Sequence, residues 1–468
     1  MSDLGTPDKP LRVAIVGSGP AGFYAAESLF ATENTVEVDM FDRLPTPFGL
    51  VRAGVAPDHP KIKNVIKRYE KTAANEGFRF FGNVEVGGEI SAADLAERYH
   101  AVVYAYGSAT DRQLGIPGED LPGSHPATAF VAWYNAHPDF AGHDFDLSCE
   151  RAVVIGNGNV AADVARMLAL TREELEETDT AEHAIDPMAE SGVREIVVLG
   201  RRGPAQAAFT NPEVRELGEM VDADVVIDPA DMELDEISRA YIESDEADMT
   251  AKKNVDIFTE FSQREPEGKR RRIVLRFLCS PVEIRGDGKV EKLVVGRNEL
   301  QRDDSGRVRA VDTGEREEIE CGLVFRSIGY LGIPLEGIPF DSDRGVIRNE
   351  GGRVLDDAGE QVEGQYVVGW IKRGPSGVIG TNKKDAQETI DHLFEDLAAN
   401  HVPEPALADG TSIEELLAER SPDTVVSFQG WEAIDAAEKG RGEPLGRPRL
   451  KFCRIDEMVE ASRSRTPA

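Results

Sequence analysis

The chain has 468 residues, which is too long for one ordinary domain, so we expect two or three domains with sizeable cores. Its 86 acidic residues outnumber its 53 lysines and arginines and give a formal net charge of −33. A surface this acidic argues against binding to nucleic acid or to anionic membranes, and it also fits a salt-adapted or generally acidic proteome.

The cysteines and the first residues indicate the compartment. The chain contains four cysteines: Cys149, Cys279, Cys321 and Cys453. They are far apart in sequence, so we predict neither a CxxC redox pair nor a metal or cluster site. Met1–Pro10 lacks the apolar core of a secretory signal, and no apolar run is long enough to span a bilayer. Because scattered thiols fit a reducing compartment, we expect a cytoplasmic protein without membrane insertion.

The first motif is a predicted strand, a glycine turn and a helix. Val13–Val16 is a short apolar run typical of a buried parallel strand, and Phe23–Leu29 after the turn is predicted to be helical. Between them, Gly17 permits a tight turn, Gly19 lets the backbone approach a pyrophosphate, and Gly22 lets the helix pack close to the strand. The pattern therefore predicts a dinucleotide bound at the helix N-terminus.

The residues after this turn supply its context. A second predicted strand, Val36–Phe41, is followed by Asp42, about twenty residues beyond the turn, where a carboxylate would meet a ribose hydroxyl. The alternative is a nucleotide-free α/β unit with a surface aspartate. An isolated GxGxxG is weak evidence, but the strand and the aspartate that follow it favour the nucleotide site.

A proline-rich loop and a basic segment come next. Residues 43–60 contain four prolines and two glycines, which exclude regular structure through most of the stretch. Its apolar residues indicate an ordered loop that lies over a ligand. Residues 61–71 are predicted to form a basic helix. Its cations form either a solvated helix face or a docking patch for an acidic partner, and the sequence does not separate the two.

A second fingerprint follows the first. Arg151–Ile155 is a predicted strand, Gly156–Asp163 is the turn and helix start, and together they favour a second dinucleotide in a second domain. The next predicted strand, Glu195–Gly200, ends in Arg201 and Arg202 rather than in an acid. Paired guanidiniums suit a 2′-phosphate, so we expect this site to prefer NADP. The alternative is two solvated arginines at a strand end.

The remaining segments complete the predicted organisation. Residues 222–250 are acidic and expected at the surface, and hairpin-like strands continue to Glu320. The strand 323–330 is expected to return the chain to the first domain. A strand at 366–370 then precedes a long helix at 383–394, whose positive N-terminus would favour a reduced, anionic flavin ring if it points at one. The C-terminal stretch is expected to be a folded appendage.

Several long stretches, in order and nearly end to end, resemble the adrenodoxin-reductase-type ferredoxin–NADP reductases. They are GSGPAGFYAAESL, LPTPFGLVRAGVAPDHP, GNGNVAADVARML, VVLGRRGPAQAAFT, VGWIKRGPSGVIGTNKKDA, GWEAIDAAE and GRPRLK. The resemblance implies an α/β fold with two Rossmann-like domains of three layers, in which a discontinuous FAD domain carries an inserted NADP domain. We expect the FAD domain at 1–109 and 332–468, with the C-terminal appendage, and the NADP domain at 110–331.

The resemblance also implies the contact residues. Together with the turn glycines, the expected FAD-binding residues are Gly17, Gly19, Ala21, Gly22, Asp42, Leu50, Val86, Trp370, Gly377, Val378 and Ile379. The expected NADP-binding residues are Asn157, Gly158, Asn159, Val160, Arg201, Arg202, Glu213 and Gly377. Relatives often place Glu where Asp42 stands, and the shorter side chain can make the same ribose contact.

The family also places a histidine and an acid, here His59 and Glu213, near the flavin and the nicotinamide. Hydride transfer needs no acid or base, so we interpret both as positioning or proton-exchange residues, with a loop-bracing hydrogen bond as the alternative for His59.

The expected function is electron transfer between NADPH and a separate ferredoxin through FAD, with docking near Lys61, Lys63, Lys67 and Arg68 or in the clefts around Arg52. The alternatives are another NADPH-dependent flavin reductase and a non-catalytic FAD- and NADP-binding redox sensor. The missing CxxC and the missing cluster ligands argue against the disulfide-reductase and glutamate-synthase-like versions of the former.

Overall fold

The computed structural model describes residues 3–407 and 412–464 and divides into two compact units. Unit 1 contains the described residues up to Val55, then His59–Thr110 and those from Gly329 onward. Unit 2 contains Ala56–Asp58 and Asp111–Ile328. Unit 1 is therefore discontinuous in sequence, with most of unit 2 inserted between its parts.

The first part of unit 1 alternates strands with helices. Its strands are β1 (Leu11–Val16), β2 (Val36–Asp42), β3 (Phe78–Gly82) and β4 (Ala101–Tyr104). Its helices are α1 (Pro20–Phe30), α2 (Leu50–Ala53), α3 (Pro60–Lys63), α4 (Ile66–Ala73) and α5 (Ala92–Ala96). The single helix predicted over 61–71 is wrong, because the chain leaves the helix at Asn64 and Val65 and forms two short helices.

The inserted segment carries its own strands and helices. Its strands are β5 (Thr110–Asp111), β6 (Ser124–Pro126), β7 (Arg151–Ile155), β8 (Glu195–Leu199), β9 (Ala223–Ile227), β10 (Arg271–Arg276), β11 (Cys279–Arg285), β12 (Lys292–Arg302), β13 (Val308–Glu320) and β14 (Leu323–Arg326). Its α-helices are α6 (Ala127–Tyr134), α7 (Asn159–Ala169), α8 (Arg172–Glu176), α9 (Glu182–Ala189), α10 (Asn211–Leu217), α11 (Glu236–Glu243) and α12 (Met249–Gln263). Pro204–Gln206 and Pro229–Met232 are short 3₁₀ helices.

The last part of the chain returns to unit 1. Its strands are β15 (Tyr330–Leu331), β16 (Phe340–Asp341), β17 (Val346–Ile347), β18 (Asn349–Glu350), β19 (Arg353–Leu355) and β20 (Gln361–Val367). Its helices are α13 (Trp370–Arg373), α14 (Thr381–Ala398), α15 (Ser412–Arg420), α16 (Phe428–Gly442), the 3₁₀ turn Glu443–Leu445 and α17 (Ile455–Ser462). The predicted C-terminal appendage is thus helical.

Unit 1 is built on one sheet of order β18-β19-β20-β4-β1-β2-β3, in which β20 to β3 are parallel. Alternate residues of β1 face opposite cores: Val13 and Ile15 pack with α1 and α14, while Ala14 and Val16 pack in a second cluster. A parallel strand is apolar throughout because both of its faces are covered. The order β3-β2-β1-β4-β20 is that of a Rossmann fold, with the switch point between β1 and β4.

Unit 2 repeats this plan with a parallel sheet of order β6-β14-β7-β8-β10-β9 and adds an antiparallel sheet, β11-β12-β13. The acidic stretch 222–250, expected at the surface, contributes the edge strand β9, in which buried and half-buried residues alternate. The prediction of an α/β protein with two Rossmann-like domains is confirmed. No described helix has both the length and the apolar character needed to cross a bilayer.

Candidate functional site

The glycine turn of unit 1 leaves no room for side chains at two positions. Gly17 has a φ of +106°, and a Cβ there would lie 2.7 Å from the carbonyl oxygen of Ala105. A Cβ on Gly22 would lie 2.2 Å from the carbonyl oxygen of Gly17. These contacts keep the start of α1 close to the carboxyl ends of β1 and β4, where open α/β sheets bind ligands.

Gly19 differs from its neighbours because nothing lies within 4 Å of where its Cβ would be. It precedes α1, and no side chain caps the first N–H groups of that helix. Ser108, just after β4, has a buried hydroxyl with no hydrogen-bond partner among the described residues. Open space, uncapped N–H groups and the positive end of a helix are the features that bind a pyrophosphate.

Asp42 ends β2 and is braced by this turn. Its Oδ2 accepts hydrogen bonds from the backbone N–H and the hydroxyl of Ser18, at 3.0 and 2.5 Å, and its Oδ1 accepts one from Leu44 N at 2.9 Å. Burial raises the pKa of Asp42 in spite of these bonds, which favour its charged form. The side chain stays partly exposed and is fixed in position, as a ribose-binding carboxylate requires.

The proline-rich loop lies directly against the glycine turn. Phe48 is fully buried at a φ of +84° and donates its N–H to Ser18 O at 3.0 Å. A Cβ on Gly49 would lie 2.9 Å from the Cα of Gly19. Leu50, a predicted FAD contact, opens α2 and is 41% exposed. This loop is therefore ordered and lies beside the open space at Gly19.

Arg52, in the same loop, belongs to the interior of unit 1. Its guanidinium donates to both carboxylate oxygens of Glu438, at 2.9 and 2.5 Å, and lies 5.2 Å from the ring centroid of Trp431. Glu438 is fully buried and also accepts the N–H of Phe452. The C-terminal helix α16 thus fastens the loop, and the Arg52 guanidinium is not available to a docking partner.

The carboxyl end of β20 lies at the same edge of the sheet as the carboxyl ends of β1 and β4. Gly369, after β20, has a φ of +78°, and a Cβ there would lie 2.5 Å from the Cβ of Ala21 in α1. Trp370 follows, with its ring 5.2 Å from that of Tyr330. The segment between α13 and α14 carries the other expected FAD contacts. They are Gly377, with a φ of +81°, Val378, 56% exposed, and the partly buried Ile379.

Val86 is the predicted contact least explained by the sequence pattern. Strand β3 ends at Gly82, and Val86 lies beyond it in a turn, bridged to Ile90. It is partly buried and packs against the second core of unit 1.

Unit 2 repeats the strand, glycine turn and helix. Gly156 has a φ of +135°, and a Cβ there would lie 2.1 Å from the carbonyl oxygen of Ser327, whereas the nearest atom to a Cβ on Gly158 would be the Cβ of Ala208, 4.0 Å away. Gly158 precedes α7, which begins with Asn159 and Val160 and has no side-chain cap. The amide nitrogen of Asn157 is buried and has no hydrogen-bond acceptor among the described residues. These groups fit an anionic nucleotide at the start of α7.

Arg201 and Arg202 directly follow β8 and Gly200. Arg201 is exposed and Arg202 is half-buried, and neither guanidinium has a carboxylate partner in the described part of the chain. Burial, and then the charge of Arg201, lower the pKa of Arg202. Two adjacent guanidiniums without a carboxylate partner have the charge and the donors to bind an anionic ligand.

Glu213 lies in the first turn of α10, is buried, and accepts a hydrogen bond from Arg166 at 3.1 Å. Arg166, on α7, also pairs with Asp58 at 2.5 Å and Asp163 at 2.7 Å. Burial works against this charge, but the carboxylates, Asp58 first, raise the pKa of Arg166. The carboxylate of Glu213 is therefore held by a permanent cation. His59, in unit 1, precedes α3 and is partly buried.

Sequence analysis missed Arg166 and a second buried network around Asp385. Arg166 stands three residues after Asp163 on α7, a spacing that places both side chains on one helix face, and this signal was present in the sequence. Asp385 contacts residues 12 to 16 positions earlier across a loop, and no short-range pattern marks such contacts.

Comparisons with known proteins identify the family that this chain resembles. The sequence profile of the pyridine nucleotide-disulphide oxidoreductase family matches residues 11–198. The NADPH-ferredoxin reductase FprA of Mycobacterium leprae is 52% identical over 96% of this chain and 97% of its own. The mitochondrial NADPH:adrenodoxin oxidoreductase of Salvelinus fontinalis is 41% identical over 98% of this chain and 92% of its own. The structure of Mycobacterium tuberculosis FprA in complex with NADPH superimposes with a TM-score of 0.90 at 50% identity, covering 97% of this chain and all of that chain.

Proposed function

This chain belongs to the family of the NADPH-ferredoxin and NADPH:adrenodoxin reductases, and on that premise we propose how its two units share the reaction. The protein is an FAD-dependent oxidoreductase that acts with NADP. The proposal assigns FAD to unit 1, NADPH to unit 2, and the role of electron acceptor to a ferredoxin-type iron–sulfur protein. It also keeps the predicted cytoplasmic location, which the free thiols support.

The FAD assignment is supported by the three strand ends that meet in unit 1. The N–H groups at the start of α1 would bind the pyrophosphate, and Asp42 would accept a ribose hydroxyl. The segment from Trp370 to Ile379 would hold the ring end of the cofactor. Bound FAD supplies the redox chemistry, because its ring takes two electrons from NADPH and can pass them on singly.

The unpaired guanidiniums of Arg201 and Arg202 are the observation that carries the NADPH assignment. They lie just beyond the carboxyl end of β8, where the second strand of a dinucleotide unit presents its ribose-binding residue. An acid there would bind the free 2′-hydroxyl of NADH, whereas two cations would bind the 2′-phosphate of NADPH through charge-assisted hydrogen bonds. Asn157 to Val160 would hold the pyrophosphate at the start of α7.

We assign positioning or proton-exchange roles to His59 and Glu213. Hydride transfer itself requires neither an acid nor a base. The ion pair with Arg166 supports a charged, fixed carboxylate at Glu213. Such a carboxylate can orient a bound group without entering the reaction.

For the iron–sulfur partner, the proposal locates docking at the basic patch, which we define as Lys61, Lys63, Lys67 and Arg68. Lys61 and Lys67 are exposed and have no carboxylate partner among the described residues, and Ile62 between them is 42% exposed. Arg68 contributes less, because Glu27 accepts both of its hydrogen bonds, each 2.5 Å long. A local positive patch would let an acidic ferredoxin approach a protein whose net charge is −33.

Charge reversal tests the patch. The double variant Lys61→Glu/Lys67→Glu should raise the KM for ferredoxin several-fold and leave NADPH oxidation with a small-molecule acceptor unchanged. Lys253→Glu/Lys289→Glu, which reverses two exposed lysines of unit 2, is the matched control. Equal KM values for both double variants would remove docking from the patch.

An anaerobic titration of the flavin absorbance with NADPH and, in parallel, NADH tests the proposed function. Rapid bleaching by NADPH and poor bleaching by NADH would support FAD, the two-site arrangement and the two arginines together. Equal bleaching would retain the flavoprotein and overturn the arginine assignment. Normal binding without turnover toward any one-electron acceptor would favour the redox-sensor alternative.

A further inference from the structure

A buried network ties the corner after β20 to helix α14. Asp385, in the second turn of α14, accepts the N–H of Gly369 at 2.5 Å through Oδ2. The same oxygen accepts from Arg373 at 3.2 Å, and Oδ1 lies 3.3 Å from the ammonium of Lys372. The Asp385 side chain is only 8% exposed. One carboxylate therefore connects the strand end, α13 and the long helix.

The two cations of this network also secure the loop that precedes α14. Arg373 donates to Ser376 O at 3.2 Å and to Asn382 Oδ1 at 2.9 Å. Lys372 is buried and bonds Glu388 at 2.6 Å and the hydroxyl of Thr389 at 3.0 Å. The network thus reaches both ends of the segment that carries Gly377 to Ile379.

The charges of the network balance. Asp385 and Glu388 carry two negative charges, and Lys372 and Arg373 carry two positive charges. The two acids differ in exposure, since the side chain of Glu388 is 56% exposed and that of Asp385 is 8% exposed. Water screens a charge at Glu388 but screens a charge at Asp385 much less.

We propose that Asp385 is a positioning residue of the FAD site: it holds the Gly369–Trp370 turn against α1 and, together with Glu388, neutralises Lys372 and Arg373. This inference rests on the proposed assignment of FAD to unit 1. The Gly369 corner is the link, because a Cβ there would lie 2.5 Å from Ala21, at the start of the helix that receives the pyrophosphate. Asp385 would act through backbone position and local charge, without touching the cofactor.

If Asp385 balances the charge of the network, Asp385→Asn and Arg373→Gln should shift the reduction potential of the flavin in opposite directions. Asp385→Asn keeps an oxygen that can accept the Gly369 N–H but leaves the network with a net charge of +1. A nearby positive charge stabilises the reduced, anionic flavin, so the reduction potential should rise. Arg373→Gln leaves a net charge of −1, so the potential should fall. We expect each shift to change the oxidised-to-reduced ratio about tenfold, which corresponds to about 30 mV for a two-electron couple.

The experiment is a redox titration of the full-length, FAD-loaded protein against a reference dye, with FAD content and thermal unfolding measured alongside. Glu388→Gln is the matched control: it removes one negative charge from the same network at an exposed position, and its potential should stay near that of the wild type. Asp385→Glu should restore most of the wild-type potential.

The outcomes separate this inference from the proposed function. A wild-type protein that holds no FAD would end both. Wild-type FAD binding, combined with potentials of Asp385→Asn and Arg373→Gln that match the control or shift in the same direction, would overturn the role of Asp385 alone. If Asp385→Asn does not fold, the decrease expected for Arg373→Gln still decides the question.

Discussion

Arg202 offers the sharpest test of cofactor choice. Replacing it with alanine removes the half-buried member of the arginine pair, while Arg201 stays in place. Because Arg202 is less exposed, its bonds to a phosphate would be less screened by water than those of Arg201. Burial and its neighbour lower its pKa, so the dianionic 2′-phosphate would relieve the repulsion between the two arginines.

The expected magnitude follows from the bonds lost. A hydrogen bond to a charged group contributes about 1.5–3 kcal/mol, and about 1.4 kcal/mol corresponds to a factor of ten. Arg202→Ala should therefore lower kcat/KM for NADPH roughly 10- to 150-fold. The exposed Arg201 should matter less, with a loss of less than about tenfold, because exposed ion pairs contribute at most about 1 kcal/mol. Neither substitution should lower kcat/KM for NADH, which lacks the 2′-phosphate.

The assay measures steady-state reduction of a one-electron acceptor with each nicotinamide cofactor for the wild type, both variants and Arg302→Ala. Arg302 is an exposed arginine at the end of β12; its guanidinium donates to the carbonyl oxygen of Gly306 and has no carboxylate partner among the described residues. Equal losses with NADPH and NADH in Arg202→Ala would show a general defect and refute 2′-phosphate recognition.

Four further substitutions test the glycine turn of unit 1, the Arg52–Glu438 ion pair and His59. Gly19→Ala should lower FAD affinity without destabilising the apoprotein, because its methyl group enters open space, whereas Gly22→Ala should also lower the thermal midpoint, since its Cβ would lie 2.2 Å from a carbonyl oxygen. Glu438→Gln should lower the free energy of unfolding, measured in urea, by about 3–5 kcal/mol, because it leaves the charge of Arg52 unpaired. Burial opposes ionisation of Glu438, but the charge of Arg52 outweighs it and lowers the pKa of Glu438. The ionised carboxylate should therefore stabilise the fold fully above pH 4.5, and this stabilisation should disappear as the pH falls through the lowered pKa. The stability of Glu438→Gln should lack this pH dependence. His59→Ala should retain rapid flavin reduction by NADPH in stopped-flow; a loss of several orders of magnitude would make His59 essential.

The two glycine turns can be predicted from local sequence, because each glycine meets a steric requirement of the turn. Gly17 and Gly156 need a positive φ at a strand end, and Gly22 must let a helix approach the turn a few residues before it. The positive φ and the close approach of the helix are set within the motif, so a short motif can carry them, although the atoms that crowd Gly17 and Gly156 belong to the distant Ala105 and Ser327. The same reasoning singles out the arginine pair, because in dinucleotide-binding units the residue at the end of the second strand faces the ribose.

Long-range pairs escaped prediction for the opposite reason. Arg52 and Glu438 are 386 residues apart, and nothing near either residue in sequence indicates that both are buried. The prediction of one helix over 61–71 failed because the pattern of basic residues does not reveal the break at Asn64 and Val65. Strand β9 was hidden because acidic neighbours masked its short alternation of buried residues.

The excess of acidic residues makes it useful to ask which lysines and arginines pair with a carboxylate and which do not. With 86 carboxylates for 53 lysines and arginines, acids are available to most cations, and several buried cations pair with one: Arg52 with Glu438, Arg166 with Asp58, Lys372 with Asp385. The buried Arg271 instead donates to backbone carbonyl oxygens. Arg201 and Arg202 lie side by side at one strand end without a carboxylate partner among the described residues, and a bound anion would offset the repulsion between them. On the surface of unit 1, Lys61 and Lys67 would attract an acidic partner in the same way. Salt should therefore weaken both NADPH binding and ferredoxin binding, and it should weaken the fully exposed lysine patch more than the half-buried Arg202.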